Sequence, residues 1–139
     1  MRKITEIIVH CTATPAGRPV SVADVDAWHR ARGFSGIGYH YLVGLDGAVG
    51  AGRPERMAGA HCRGRNATSV GVCYVGGIDA DGSPADTRTA AQRAALDRLL
   101  RRLTARYPGA RIRGHCDFAA KSCPCFDATA EYRHLCAGC

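Results

Sequence analysis

Nowhere does the chain reach the roughly 18 consecutive apolar residues that a membrane-spanning helix needs, so no membrane insertion is expected. The apolar stretch behind Met-Arg-Lys is short and contains Glu6, which argues against a secretory leader and for a strand. Synthesis in the cytoplasm without a signal peptide is the expectation. There is no internal repeat and no low-complexity segment. The Arg residues are scattered, with Arg101 and Arg102 adjacent, so there is no basic tail. No recognised nucleic-acid motif and no clustered basic helix are present, so direct nucleic-acid binding is not expected.

What is present is a chain of 139 residues, the length of one domain spanning 1–139 that can bury a core without staples. A monomer is expected. Nineteen basic residues against 12 acidic ones give a net charge of +7, which favours an anionic partner. There are eight Cys, which without a leader read as thiols rather than disulfides.

Residues 4 to 11 are rich in Ile and Val and read as a buried strand. Ser21 with Asp24 predicts a helix start, and the helix runs from about 22 to 32 with Gly33 closing it. Its predicted inner face is Val22, Val25 and Trp28, followed by Ala31 or Arg32. A strand over 39–45 turns at Asp46-Gly47 into a return strand over 48–52. Residues 53–68 form a long Gly-rich loop, a length that is uncommon without a function. Another strand covers 69–75. Thr89 and Gln92 predict a capping box for a helix over 90–106, with an apolar stripe from Ala91, Ala95, Leu96, Leu99, Leu100 and Leu103. A short strand over 111–115 and a short helix over 128–135, capped by Asp127, complete the chain. Strands and helices alternating around a hairpin predict an α/β fold with a single mixed sheet packed with helices.

The chemistry concentrates in Arg113-Gly-His-Cys-Asp-Phe-Ala-Ala-Lys-Ser-Cys-Pro-Cys-Phe-Asp127, a loop that carries His115, Lys121 and Cys123. Nitrogen and sulfur donors of this kind suit zinc, and a third ligand must come from elsewhere. The best candidate is His10, at the end of the first strand. Two His and one Cys leave the fourth position of one Zn2+ open, the catalytic pattern. Lys121, two residues before Cys123, would point to the same side in extended backbone and would offset negative charge on a carbonyl oxygen. Tyr39 is the candidate to move a proton through its phenol, while His40 points to the opposite face. His61 in the long loop, with Asn66 near it, is a candidate for lining a substrate groove, and packing explains both equally well. Cys136-Ala-Gly-Cys139 has knuckle spacing and could join Cys123 and Cys125 in a structural four-thiolate site, at the expense of the catalytic set.

His10, Tyr39, His40, His61, His115, Lys121 and Cys123 fall in six ordered segments: Ile8-Val-His-Cys-Thr-Ala13, Trp28-His-Arg-Ala-Arg-Gly-Phe34, Gly38-Tyr-His-Tyr-Leu-Val43, Gly59-Ala-His61, Ser69 to Gly77, and Gly114-His115 with Lys121-Ser-Cys-Pro124; Cys116, Cys125, Cys136 and Cys139 lie outside the pattern. Together they resemble the type 2 N-acetylmuramoyl-L-alanine amidases, on the branch of the phage lysozymes, and the peptidoglycan-recognition proteins that share their fold. The resemblance implies zinc at His10, His115 and Cys123, catalytic assistance from Tyr39 and Lys121, and peptidoglycan as substrate, reached after release from the cell. It also implies a phage RNA polymerase as a partner, with no residue to carry that role. Two other readings stand beside this one. A non-catalytic peptidoglycan-binding module is disfavoured by the presence of Cys123. A cytoplasmic recycling amidase would carry Asp as third ligand and Glu as acid or base, in place of Cys123 and Tyr39.

Overall fold

The computed structural model describes residues 2–136. In chain order the elements are β1 (Glu6–Cys11), β2 (Thr14–Pro15), α1 (Val22–Ala31), β3 (Tyr41–Val43), β4 (Val49–Ala51), β5 (Ser69–Tyr74), β6 (Gly77–Ile78), α2 (Ala90–Arg106), β7 (Arg111–Gly114) and α3 (Ala128–Glu131). Five strands form one mixed sheet in the order β4-β3-β5-β1-β7, and β2 pairs with β6 in a two-stranded annex. Only the β3–β4 hairpin is antiparallel within the main sheet. Its tight turn needs the positive φ of 84° at Gly47, which glycine adopts without steric cost.

Both helix starts follow the sequence signals. Ser21 accepts the Asp24 N–H while the Asp24 carboxylate accepts the Ser21 N–H, and Thr89 and Gln92 do the same for α2. Alternation along the central strands then divides the core. Ile7, Val9 and Cys11 of β1 and Val70, Val72 and Tyr74 of β5 share a cluster with Leu96, Leu99, Leu100 and Leu103 of α2. On the opposite face, Cys73 packs with Val25 of α1, Ile37 and Leu42. Gln92 is fully buried in the α2 stripe. Its amide donates to the carbonyls of Val43 (3.3 Å) and Val75 (2.9 Å), so the helix is fastened to the sheet by hydrogen bonds as well as by leucines.

The inner face of α1 differs from expectation. Its buried residues are Val25 and His29, whereas Trp28 is 38% exposed. The helix is turned by about one residue because His29 reaches inward, its Nδ1 accepting the Gly38 N–H at 2.8 Å. Trp28 thereby joins Thr12, Val25, His29, Arg32 and Tyr39 around a cavity of about 120 Å³ on the face that carries His10. Ala91 is also exposed rather than part of the α2 stripe.

Candidate active site

The site forms where the C-terminal end of β1 meets the chain leaving β7. His10 is 1% exposed and pairs in register with Cys73 of β5. It lies on the face of the sheet opposite the leucines of α2, because it is three residues from Ile7 and one from Val9. The Arg111–Gly114 strand ends at His115, which opens a 3-10 turn. The loop then returns to β1. Cys116 N–H donates to the Cys123 carbonyl at 2.8 Å, closing the loop at its neck, and the Tyr74 hydroxyl donates to the Pro124 carbonyl at 2.7 Å from below.

These constraints bring His10, His115 and Cys123 together, with one ligand atom from each lying within 4.8 Å of the others. It is the one such group of His, Cys, Asp or Glu among the described residues. His10 Nδ1 is 3.9 Å from Cys123 Sγ. For metal–ligand bonds of zinc length, two tetrahedral ligands lie about 3.5 Å apart, so the spacing fits. The His10 and His115 ring centroids are 4.6 Å apart. The Cys11 N–H donates to Cys123 Sγ at 3.2 Å, which ties the sulfur to the end of β1. Donor chemistry and spacing both fit a zinc ion.

Tyr39 lies beside this group, its ring centroid 5.1 Å from that of His10 and 5.3 Å from that of His29. It precedes β3 instead of starting it, and β3 is shorter than the expected 39–45. Burial, reinforced by the neighbouring Cys73, Cys123 and Cys11, holds its phenol well above the usual tyrosine range, so at neutral pH it is a proton donor. Burial pushes His10 and His115 the other way, toward the neutral imidazoles a metal requires, and the Lys121 charge adds to both shifts. Lys121 is therefore in electrostatic range of both His. The chain enters Lys121 through a tight turn, in which the Lys121 N–H donates to the Ala119 carbonyl at 2.9 Å.

His61 and Asn66 are also drawn into this region. The Asn66 side-chain oxygen accepts the N–H groups of His61 (2.8 Å) and Cys62 (2.9 Å), which shapes the loop. His61 Nδ1 is 2.8 Å from His10 Nε2, and its Nε2 is 3.2 Å from Ser69 Oγ. Both ring nitrogens thus meet protein partners. His40 bridges Gly71 N–H (3.0 Å) and the Met57 carbonyl (2.8 Å) as a latch on the same loop.

Six cysteines are free thiols: Cys11, Cys62, Cys73, Cys116, Cys123 and Cys125. Cys11 and Cys125 have sulfurs 3.8 Å apart beneath the Cys123 loop. Cys136 is buried against the α2 core and is disulfide-bonded, which corrects the all-thiol expectation at this position and withdraws its sulfur from a four-thiolate site with Cys123 and Cys125. Cys139, the other half of the knuckle spacing, lies outside the described residues.

Residues 1–126 match the N-acetylmuramoyl-L-alanine amidase family. The endolysin of Klebsiella phage KP32 is 46% identical over 126 residues, covering 91% of this chain and 83% of its own length. Among solved structures, the N-acetylmuramoyl-L-alanine amidase LysC from Clostridium intestinale URNW superposes with a TM-score of 0.82 at 28% identity, covering 96% of this chain and 86% of that one. Drosophila PGRP-LB shares the fold with a TM-score of 0.79 at 23% identity, covering 95% of this chain and 81% of that one.

Proposed function

The chain belongs to the N-acetylmuramoyl-L-alanine amidase family, and we propose that it is a zinc-dependent endolysin-like amidase, with residues 1–139 forming one catalytic domain. It cleaves the amide between the lactyl group of N-acetylmuramic acid and the L-alanine of the stem peptide. The observation that carries this reading is the convergence of His10, His115 and Cys123, from distant parts of the chain, beside Tyr39.

His10, His115 and Cys123 would hold the ion. A zinc ion with three protein ligands supplies Lewis-acid chemistry and brings the pKa of water to about 7. The remaining work falls to the chain. The Lys121 ammonium offsets negative charge on the amide oxygen as the carbonyl carbon becomes tetrahedral. The protonated Tyr39 phenol donates toward the departing L-alanine nitrogen. His29, which accepts the Gly38 N–H and packs on Tyr39, holds that ring in place. The cavity beside Trp28 and Arg32 adjoins Tyr39 and is where a stem peptide would lie. The net charge of +7 favours an acidic wall polymer. No described helix is long and apolar enough to cross a membrane.

Mass spectrometry of digested peptidoglycan tests the reading. The expected products are stem peptides with a free L-alanine amino terminus, formed with metal and abolished by a chelator. Binding to peptidoglycan without cleavage would establish the binding-module reading instead. Cys123→Ser is expected to lose zinc and cleavage together, and full zinc occupancy in that variant would overturn the ligand set.

A further inference from the structure

His61 has a hydrogen-bond environment that a groove-lining role does not explain, and it can be traced from its far end. The Ser69 hydroxyl is 2.7 Å from the Arg65 carbonyl oxygen, which can only accept. Ser69 therefore donates there, and its oxygen is left to accept. The His61 Nε2, 3.2 Å away, supplies the proton. A neutral His61 with its proton on Nε2 has a lone pair on Nδ1, and that lone pair faces His10 Nε2 at 2.8 Å. His10 must then carry its own proton on Nε2 and keep Nδ1 unprotonated. Nδ1 is the nitrogen that faces Cys123 Sγ, at 3.9 Å.

The His61 ring packs directly against two glycines. A Cβ built on Gly71 would lie 2.7 Å from the ring, and one on Gly59 would lie 2.6 Å from it. The imidazole thus occupies space that these two glycines leave open. Ser69, Gly71 and Cys73 of β5 share the sheet face of His10, in the register Glu6↔Ser69, Ile8↔Gly71 and His10↔Cys73. Ser69 is fully buried, so no water competes for its hydroxyl. Asn66 fixes the backbone beneath the ring through its two bonds to the N–H groups of His61 and Cys62.

We propose that Ser69 and His61 form a positioning relay, anchored on the Arg65 carbonyl, that sets the tautomer of His10 and so frees Nδ1 for the metal. His61 is then a positioning residue, acting through His10. Partners of this kind around metal-bound imidazoles hold ring orientation and tautomer, and their loss lowers metal affinity about 10- to 100-fold. The inference rests on the metal reading of the site.

Two measurements test it. Long-range proton–nitrogen NMR correlations on the 15N-labelled protein, with zinc and after chelation, report which His10 nitrogen carries the proton. The expected result is Nε2–H in both states, with mixed tautomers in the metal-free Ser69→Ala variant. Competition with a chromogenic chelator reports zinc affinity. His61→Leu, which has no acceptor, is expected to bind zinc about 10- to 100-fold more weakly. His61→Gln, which restores a carbonyl acceptor, is expected to recover most of that loss. A His10 proton on Nδ1 in the wild-type protein overturns the relay, as does wild-type zinc affinity in a folded His61→Leu. If the wild-type protein takes up no zinc, the metal reading fails, and the tautomer alone still decides the relay. That spectrum is taken on the wild-type chain and does not depend on any variant folding.

Discussion

Arg88 is the residue whose loss should most clearly couple stability to the active-site loop. Its side chain is fully buried yet charged, and it binds Asp86 at 2.9 Å and Glu131 at 2.7 Å. It also donates to the Tyr132 hydroxyl at 2.9 Å, and its guanidinium sits 3.4 Å from the Phe126 ring centroid. Arg88 precedes the cap of α2, while Phe126, Glu131 and Tyr132 follow Cys123 in sequence, so one guanidinium ties the helix start to the end of the catalytic loop. Removing one member of a buried ion pair costs about 3–5 kcal/mol. The Asp86 and Glu131 side chains remain 25% and 40% exposed, so water can take over much of their solvation. The lower end therefore applies, and Arg88→Ala is expected to lose about 3 kcal/mol. With an unfolding entropy of about 2.1 cal/mol/K per residue, that corresponds to a fall in Tm of about 10 °C. Urea and thermal unfolding followed by circular dichroism measure it, and a double-mutant cycle with Glu131→Gln separates the ion pair from the packing. Faster amide exchange at Cys123 and at residues 125–127 is the expected local sign. A loss below about 1 kcal/mol would place Arg88 among ordinary surface charges and refute the reasoning.

The same cluster sets an acid limit. Hydrogen bonding to Arg88 holds Glu131 below its usual range, and at Asp86 the Arg88 contacts outweigh the upward push of burial. Both folded-state values lie below the unfolded ones, so their stabilisation is fully present above the ordinary carboxylate range near 4 and is lost as pH falls from there through the lowered folded-state values; Arg88→Ala is expected to flatten that acid dependence in Tm-versus-pH scans. Trp28→Ala is expected to cost less than the ~3–5 kcal/mol of a core aromatic, because the residue is 38% exposed, while raising KM; a loss within that range would return Trp28 to the core. Tyr39→Phe is expected to lower kcat about 10²-fold or more with zinc still bound, and a fully active enzyme would remove the proton-donor role. Lys121→Ala is expected to lower kcat about 10²-fold or more with little change in substrate binding, and a change in KM alone would make Lys121 a binding group.

The elements that follow from local rules were legible in the sequence. The capping boxes at Ser21 and Thr89, the Asp46-Gly47 turn and the leucine stripe of α2 each depend on a few neighbouring residues, and each forms where those residues place it. What was not legible is burial decided by a distant partner. Trp28 and His29 compete for the inside of α1, and hydrophobicity alone selects Trp28. His29 takes the place because a backbone N–H nine residues on, at Gly38, would otherwise be buried without an acceptor. Gln92 follows the same logic, filling a position in a leucine stripe because two sheet carbonyls face it.

The active site divides in a similar way. Sequence can nominate His10, His115 and Cys123 because donor chemistry is a property of residue type, and the fold was needed only to bring them together. The role of His61 is not a property of type. An imidazole can bind substrate, fill a core or orient a ligand, and the choice rests on what each nitrogen meets. That choice is made by Gly59, Gly71 and Ser69, two of which contribute no side chain at all. Gly71 and Ser69 alternate with Val70 and Val72, so the strand reads as small residues on one face and valines on the other. The small face is the one under His61. A run of small residues along one face of a buried strand therefore marks where another group must sit flat on the sheet, and here that group is the imidazole that meets His10.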